Sequence, residues 1–478
     1  MTNTQALQKC EIGMVGLGVM GRNLVLNMAD HGFRVAGYDR NPAQIASLRM
    51  ESAERSIAGA PNVSDFIALL RRPRAIMMLV PAGAPVDSVI KNLLPHLATG
   101  DLIIDAGNSY FKDTDLRAVN LAAKGILFLG VGISGGESGA RHGPSIMPGG
   151  PKEAYESVRP VFEAAAAHVD GTPCVAWLGP GSTGHFVKMV HNGIEYGVMQ
   201  LLAETYDLMK RGLSMDDDEL QVVYASWNQN EGNSYLIEIT GHIFSKKDDK
   251  TGKRLIDEIL AVAKQNGTGM WTSQSAMALQ VPTPNIDIAV AMRAISAVER
   301  EREQASALYQ RIQPPFKGDR AAFVTHLRRA LHAAMIITYA QGFAVLAAAS
   351  GKYKYHLDLE VVARIWRGGC IIRAALLGDI CAAFHAQPAL PNILVNSNLA
   401  RTVMGHQDSL RQLVCQAVEW GLPAPGFAAS LSYLDAYRSL WQPANLIQAQ
   451  RDYFGAHTYE RNDANGAFHS EWESEAET

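Results

Sequence analysis

The stretch "GMVGLGVMGRNL", Gly13 to Leu24, decides the fold. It carries Gly16-x-Gly18-x-x-Gly21 directly after an apolar strand pattern and before a helical one. Gly16 permits a tight turn, Gly18 leaves room for a pyrophosphate against the backbone, and Gly21 lets the helix pack close to the strand. Leu17, Val19 and Met20 complete the loop, and the helix N-terminus faces the phosphate anions. Alone, such a motif is a weak signal. Here "RVAGYDR" follows and sets Asp39 at the end of the next strand, about 20 residues on, where a carboxylate accepts hydrogen bonds from ribose hydroxyls. That placement selects a dinucleotide site over a structural turn. Asp39 favours NAD by repelling a 2′-phosphate, whereas Arg40 beside it can pair with one.

Outward from this loop, "IGMVGLG", "RVAGYD", "AIMMLV", "DLIIDAG", "ILFLGVGIS" and "CVAWLG" read as strands, several apolar throughout. Strands buried on both faces with helices between them indicate a parallel α/β sheet. After Ser182 helical periodicity dominates to about Leu440. The expected architecture is an N-terminal Rossmann-type dinucleotide-binding α/β domain (1–182), a large all-α substrate and dimerisation domain (183–440), and a C-terminal tail (441–478). A second glycine motif, "GPGSTG" with Gly179, Gly181 and Gly184, has no acidic strand end after it and reads as the hinge into the helical domain. "LQVVYASW" (220–227) and "LEVVARIW" (359–366) match at four of eight positions and hint at a duplicated helical unit. The glycine-rich "GVGISGGESGARHGPSIMPGG" (130–150) suits close approach of backbone amides to an anion, and by itself also reads as a long turn-rich loop.

With 478 residues, 47% apolar and 19% charged, the chain is ordinary globular material for two or three domains. A net charge of -4 argues against a nucleic-acid binder. Five scattered cysteines without a CxxC pair give neither a disulfide framework nor a zinc site and suit a reducing cytoplasm. No signal peptide is evident at the start, and no run of about 18 uncharged apolar residues suggests a membrane span.

"HFVKMVHNGIEYG" (185–197) follows the second motif, with Lys188, His191, Asn192 and Glu195 on one helical stripe. Taken alone the stripe reads as a solvated face with i,i+3 and i,i+4 pairing. Beside a cofactor domain it reads as the wall of an interdomain cleft.

Taken together, "GLGVMGRNL", "DAGNS", the 130–150 stretch, "KMVHNGIEYG" and "NLIQAQRDYFGAHTYER" resemble the decarboxylating 6-phosphogluconate dehydrogenase family from about Ile12 to Trp472. The resemblance implies oxidation and decarboxylation of 6-phosphogluconate to ribulose 5-phosphate with NADP or NAD, in the pentose phosphate pathway and without a metal. It implies that Gly16 to Gly21, Asp39, Arg40 and Asn41 hold the pyrophosphate and adenosine ribose, with Val80, Pro81, Ala82 and Asn108 towards the nicotinamide. Ser134, Gly135 and Gly136 bind the sugar acid, joined by Asn108. Lys188 is the implied general base and Glu195 the general acid, with His191 and Asn192 on the substrate beside them. Tyr196, Met270, Thr272 and Arg293 lie towards the phosphate end. Arg451 and His457 of the tail reach the other subunit of a homodimer. Three positions depart from the family pattern: Asp39 for an asparagine, Pro81 for a common lysine, and Met270 for the lysine of "GTGKWT". The first two bias the site towards NAD, and the third removes a cation from the phosphate.

Two other readings compete. A 3-hydroxyisobutyrate-type β-hydroxyacid dehydrogenase shares the glycine loop and the Lys/Asn helix pair but lacks "IEYG" and the "QRDYFGAH" tail. A non-catalytic dinucleotide sensor would not need both Lys188 and Glu195.

Overall fold

The structure, a computed structural model, describes residues 8–229, 232–310 and 312–472. The extreme ends of the 1–182 and 441–478 segments lie outside the described residues. By contact the chain divides into two compact units, Met1–Ser430 and Leu431–Thr478.

The larger unit opens with a seven-stranded sheet in the order β3-β2-β1-β4-β5-β6-β7. The strands are β1 (Ile12–Val15), β2 (Val35–Tyr38), β3 (Ile57–Gly59), β4 (Ala75–Met78), β5 (Leu102–Asp105), β6 (Leu127–Ser134) and β7 (Ser145–Gly149). β1 to β6 pair in parallel, whereas β7 runs antiparallel to β6. Helix α1 (Val19–Asp30) buries Leu24, Val25 and Met28 on one face of the sheet. Helices α2 (Ala84–Leu93) and α3 (Phe111–Ala122) bury Val86, Ile90 and Leu121 on the other. Cover on both faces explains why these strands are apolar throughout instead of alternating. The Rossmann-type expectation holds.

Three details of the sequence reading are corrected. "CVAWLG" forms no strand: Ile146 N–H donates to Cys174 O and Leu178 N–H to Pro148 O, two spaced bonds beside β7 and not a ladder. The edge strand β3 was not expected, being only three residues long. The 130–150 stretch is not a long loop; it holds the end of β6, a short helix Gly136–His142, and β7. Gly and Pro mask its strand character, because close packing against the helical part excludes larger residues there.

That helical part is organised by α4 (Thr183–Asp207), a 25-residue helix that packs on β6 and β7. Against it lie α5 (Thr268–Ala278), α6 (Pro284–Ala297) and α7 (Arg320–Tyr353), and α7 in turn packs on α8 (Ser397–Trp420). Contrary to the sequence expectation, α7 is long and apolar enough to cross a membrane by length and composition; 78% of its apolar window is buried inside the protein, as in a core helix. Both halves of the internal echo are helical, and each ends on a buried tryptophan, Trp227 and Trp366.

In the smaller unit, α9 (Ala444–Gly455) is followed by an extended segment bridged at Tyr459 and Phe468. Asp452, fully buried, holds it together by accepting from Thr458 N (3.0 Å), Ser470 N (3.1 Å), His469 Nδ1 (2.9 Å) and Trp472 Nε1 (2.8 Å). A polar hub replaces the apolar core that so short a segment cannot build.

Candidate active site

The glycine loop has the geometry its spacing requires. Gly16 has φ +94°, and a Cβ there would lie 2.5 Å from the Leu79 carbonyl oxygen. A Cβ on Gly21 would lie 1.9 Å from Gly16 O, whereas one on Gly18 would meet nothing within 4 Å. Space over Gly18 is where a pyrophosphate approaches the α1 N-terminus. Two cavities flank it. One, of about 650 Å³, is lined by Gly16, Asp39, Arg40, Asn41, Val80 and Pro81. The other, of about 790 Å³, is lined by Val19, Met20, Gly21, Ala82 and Asn108, with Trp271 from α5. An open backbone approach between two cavities of ligand size fits a dinucleotide. Leu17 is buried and contributes through its backbone alone, its N–H donating to Asp39 Oδ2 (2.8 Å). Asp39 Oδ1 accepts from Asn41 N–H (2.8 Å), and Asn41 Oδ1 in turn caps the next helix at Ala43 N (3.0 Å). Arg40 is exposed and makes no hydrogen bond or ion pair among the described residues.

The Lys188 stripe is not a solvated face. Lys188, His191 and Asn192 are buried, and Glu195 retains 22% of its side-chain exposure. The stripe is sealed by β6: Gly132 faces Lys188 so closely that a Cβ there would lie 2.3 Å from Lys188 Cβ. Ser134, at the end of β6, meets His191 Nε2 at 3.1 Å and accepts from Ile371 N (3.3 Å). His191 Nδ1 lies 3.0 Å from Asn192 Oδ1 and 3.5 Å from Lys188 Nζ, and Asn192 Nδ2 donates to Thr268 Oγ1 (3.3 Å). These partners assign the histidine proton to Nδ1 and leave Nε2 to accept from Ser134. Gly135 and Gly136, both at positive φ, turn the chain away at this point.

Burial sets the charge states. It lowers the Lys188 pKa to about 8, against the opposing pull of Glu195. A shift of that size makes proton loss easier by about 3 kcal/mol, so roughly a quarter of Lys188 is neutral at pH 7.5 instead of about one part in a thousand. Burial, reinforced by Lys188, holds His191 well below its usual pKa, and burial raises Glu195 despite Lys188 and Arg293. A lysine easily deprotonated and a glutamate easily protonated, two helical turns or roughly 10 Å apart, are chemically suited to act as a base and an acid.

Towards the other end of the stripe the Arg293 guanidinium stacks on the Tyr196 ring at 3.7 Å. Burial pulls its pKa down, yet it stays a cation available to an anion. Thr272 is turned inward, its hydroxyl donating to Met189 O (2.8 Å), and Met270 is 39% exposed on the same helix. Arg451 and His457 belong to the smaller unit and are exposed; Arg451 Nη1 donates to Gln448 Oε1 (3.1 Å), and His457 lies edge-on to Phe454.

Sequence reading missed Tyr110 and Trp271, whose rings pack 5.0 Å apart beside the larger cavity, and Asn266 in its wall. Trp271 directly follows Met270, but no periodicity separates a cavity aromatic from a core one.

Comparison with known proteins gives a consistent result. Residues 11–179 match the NAD binding domain of 6-phosphogluconate dehydrogenase, and residues 184–472 match the 6-phosphogluconate dehydrogenase C-terminal domain. The NADP(+)-dependent, decarboxylating 6-phosphogluconate dehydrogenase of Bacillus subtilis is 49% identical over 98% of this chain and 100% of that one. The decarboxylating enzyme 1 of Saccharomyces cerevisiae is 48% identical over 94% and 92%. A structure of Plasmodium falciparum 6-phosphogluconate dehydrogenase, described in apo form and in complexes with NADP+ and with 6-phosphogluconate, superposes with a TM-score of 0.93 at 41% identity over 97% of this chain and 100% of that one.

Proposed function

Because the chain belongs to the 6-phosphogluconate dehydrogenase family, we propose how its own residues perform that family's reaction. The activity is oxidative decarboxylation of 6-phospho-D-gluconate to D-ribulose 5-phosphate and CO2, with reduction of a nicotinamide dinucleotide. The carrying observation is Lys188, a buried amine with a pKa of about 8 on one stripe with Glu195.

Gly16 to Gly21, Asp39, Arg40, Asn41, Val80 to Ala82 and Asn108 hold the dinucleotide, whose nicotinamide supplies the hydride acceptor for C3. Neutral Lys188 takes the C3 hydroxyl proton. The ammonium so formed stabilises the charge that develops on the C3 oxygen as the C1–C2 bond breaks and C1 leaves as CO2, the old C2 becoming C1 of the enediol, so the step needs no metal. Protonated Glu195 then delivers a proton to C1 of the enediol. Ser134, Gly135, Gly136, His191 and Asn192 hold the sugar acid. Residues 1–182 act as the cofactor domain, 183–440 as the substrate and dimerisation domain and 441–478 as the tail, in a cytoplasmic enzyme whose five cysteines are free. Incubation with 6-phosphogluconate and either dinucleotide tests the reading: no reduced dinucleotide at saturating substrate overturns it.

Either dinucleotide is accepted, with Asp39 favouring NAD and Arg40 admitting a 2′-phosphate. Asp39→Asn removes the carboxylate charge while keeping one acceptor for the loop amides. The ratio of kcat/KM for NADP to that for NAD is expected to rise about tenfold. An unchanged ratio would remove Asp39 from the selection.

The enzyme is a homodimer in which the tail completes the partner's site. Support comes from α9, which leaves Leu446 and Ile447 each 61% and Phe454 71% exposed, an apolar surface suited to burial against a second copy. With Met270 supplying no charge, substrate phosphate depends on Arg293 and on Arg451 of the other subunit. Arg451→Ala should raise KM for 6-phosphogluconate about 100-fold and leave the cofactor KM in place. A monomeric mass in sedimentation, or an unchanged substrate KM, contradicts the shared site.

A further inference from the structure

Arg117, on α3, is 7% exposed in its side chain and spreads its guanidinium over three elements. Nε donates to Asp87 Oδ1 on α2 at 2.7 Å, and Nη2 donates to the Gly83 carbonyl at 3.1 Å. Nη1 lies 3.4 Å from Ser109 Oγ and 3.6 Å from Asp105 Oδ2. Asp105 is fully buried; it accepts from Gly107 N (3.1 Å) and from the Ser109 hydroxyl (2.6 Å). Its backbone carbonyl accepts from His185 Nε2 (3.1 Å), while His185 Nδ1 meets Thr114 Oγ1 on α3 at 2.6 Å. His185 stands on α4, three residues before Lys188.

We propose that Arg117 is a positioning residue that fixes the two loops walling the larger cavity, and through Asp105 and His185 sets them in register with the helix bearing Lys188. Leu79 to Gly83 form one wall, and Ala106 to Asn108 form the other. Among the described residues no backbone hydrogen bond joins the stretches Pro81–Gly83 and Gly107–Asn108, whereas Arg117 bonds to the first and to the Asp105–Ser109 turn. A planar fork with fixed donor directions holds three acceptors at set distances; an ammonium on a flexible stem does not. Hydride transfer is sensitive to this register, since a displacement of about 1 Å costs on the order of 100-fold in rate.

The inference rests on the reading that this cavity takes the nicotinamide end of the dinucleotide. It is tested with Arg117→Lys, which keeps the charge, and Asp87→Asn, which alters the exposed partner. The readouts are oxidised-dinucleotide Kd by titration calorimetry, kcat at saturating ligands, KM for 6-phosphogluconate, and Tm. Arg117→Lys is expected to raise Kd about tenfold and lower kcat about 30-fold, with substrate KM unchanged. Asp87→Asn should move Kd and kcat the same way by about threefold, and the double variant should be no worse than Arg117→Lys. A purely structural role predicts a lower Tm with unchanged Kd and kcat in either folded variant, and that result overturns the proposal. Should Arg117→Lys fail to fold, an unchanged Kd in Asp87→Asn overturns it alone. Wild-type protein that binds no dinucleotide sinks the underlying functional reading instead.

Discussion

Lys188→Ala is expected to lower kcat by about 10⁴-fold while the dinucleotide Kd stays within about twofold of wild type. A positioned base contributes about 10² to 10⁴, and electrostatic stabilisation of the C3 oxygen about 10² to 10³; one residue performs both, so the terms do not simply multiply. No neighbour can replace it. His191 has its Nδ1 proton on Asn192 and its Nε2 lone pair on Ser134, and it gains a proton only well below neutrality. Lys188→Arg fails for a different reason: a guanidinium keeps the charge but cannot become neutral. The pH dependence follows from the same group. The base is active when unprotonated, so wild-type kcat/KM rises about tenfold per pH unit below the pKa of about 8 and flattens above it. Residual activity in Lys188→Ala loses that limb. Persistence of the limb, or near-normal turnover, would remove Lys188 from the mechanism.

Removing Lys188 should move stability in the opposite direction to activity. The folded-state pKa of Lys188 lies below its ordinary value of 10.5, so between about pH 8 and 10.5 the unfolded chain binds more protons. Stability on this account rises with pH across that window and is least below it. Lys188→Met removes the cost of burying the charge and should unfold a few degrees higher at pH 7, a trade typical of active-site residues. Raised Tm with lost turnover separates a catalytic defect from unfolding.

What the sequence disclosed depended on whether a constraint was local. The requirements on Gly16, Gly18 and Gly21 arise within one turn, and their spacing marked the candidate cofactor loop without a structure. Periodicity likewise placed Lys188, His191, Asn192 and Glu195 on one stripe, but it could not say whether water or protein covered them. The cover is β6 and Ser134, far away along the chain. β7 was hidden for a related reason: Gly149 serves a close contact with Gly184 of α4, and with Pro148 beside it suppresses the local strand signal. Arg117, Asp87, Asp105 and His185 show the limit most plainly. Each is an unremarked polar residue in its own segment, and only tertiary structure joins them.

The second glycine motif, which resembles the first in spacing, yields the other large expected effect. Gly184→Ala should lower Tm by about 10 °C or more, or abolish soluble expression, because a Cβ there has nowhere to go. It would lie 2.2 Å from Met147 O, 2.3 Å from Gly130 O and 2.7 Å from Gly149 N, all backbone atoms of β6 and β7. Side chains can rotate aside; three sheet backbone atoms cannot. Relief requires α4 to withdraw by about 1 Å, and Lys188, one turn further on, would leave its seat against Gly132. Any protein that does fold should therefore lose turnover as well. Gly18→Ala provides the contrast within the first motif: its Cβ meets no protein atom within 4 Å, so Tm should hold while the dinucleotide Kd rises. The same spacing thus serves two ends, ligand access at Gly18 and helix seating at Gly184. Equal Tm values for wild type and Gly184→Ala would mean that α4 is not seated on the sheet edge in this way.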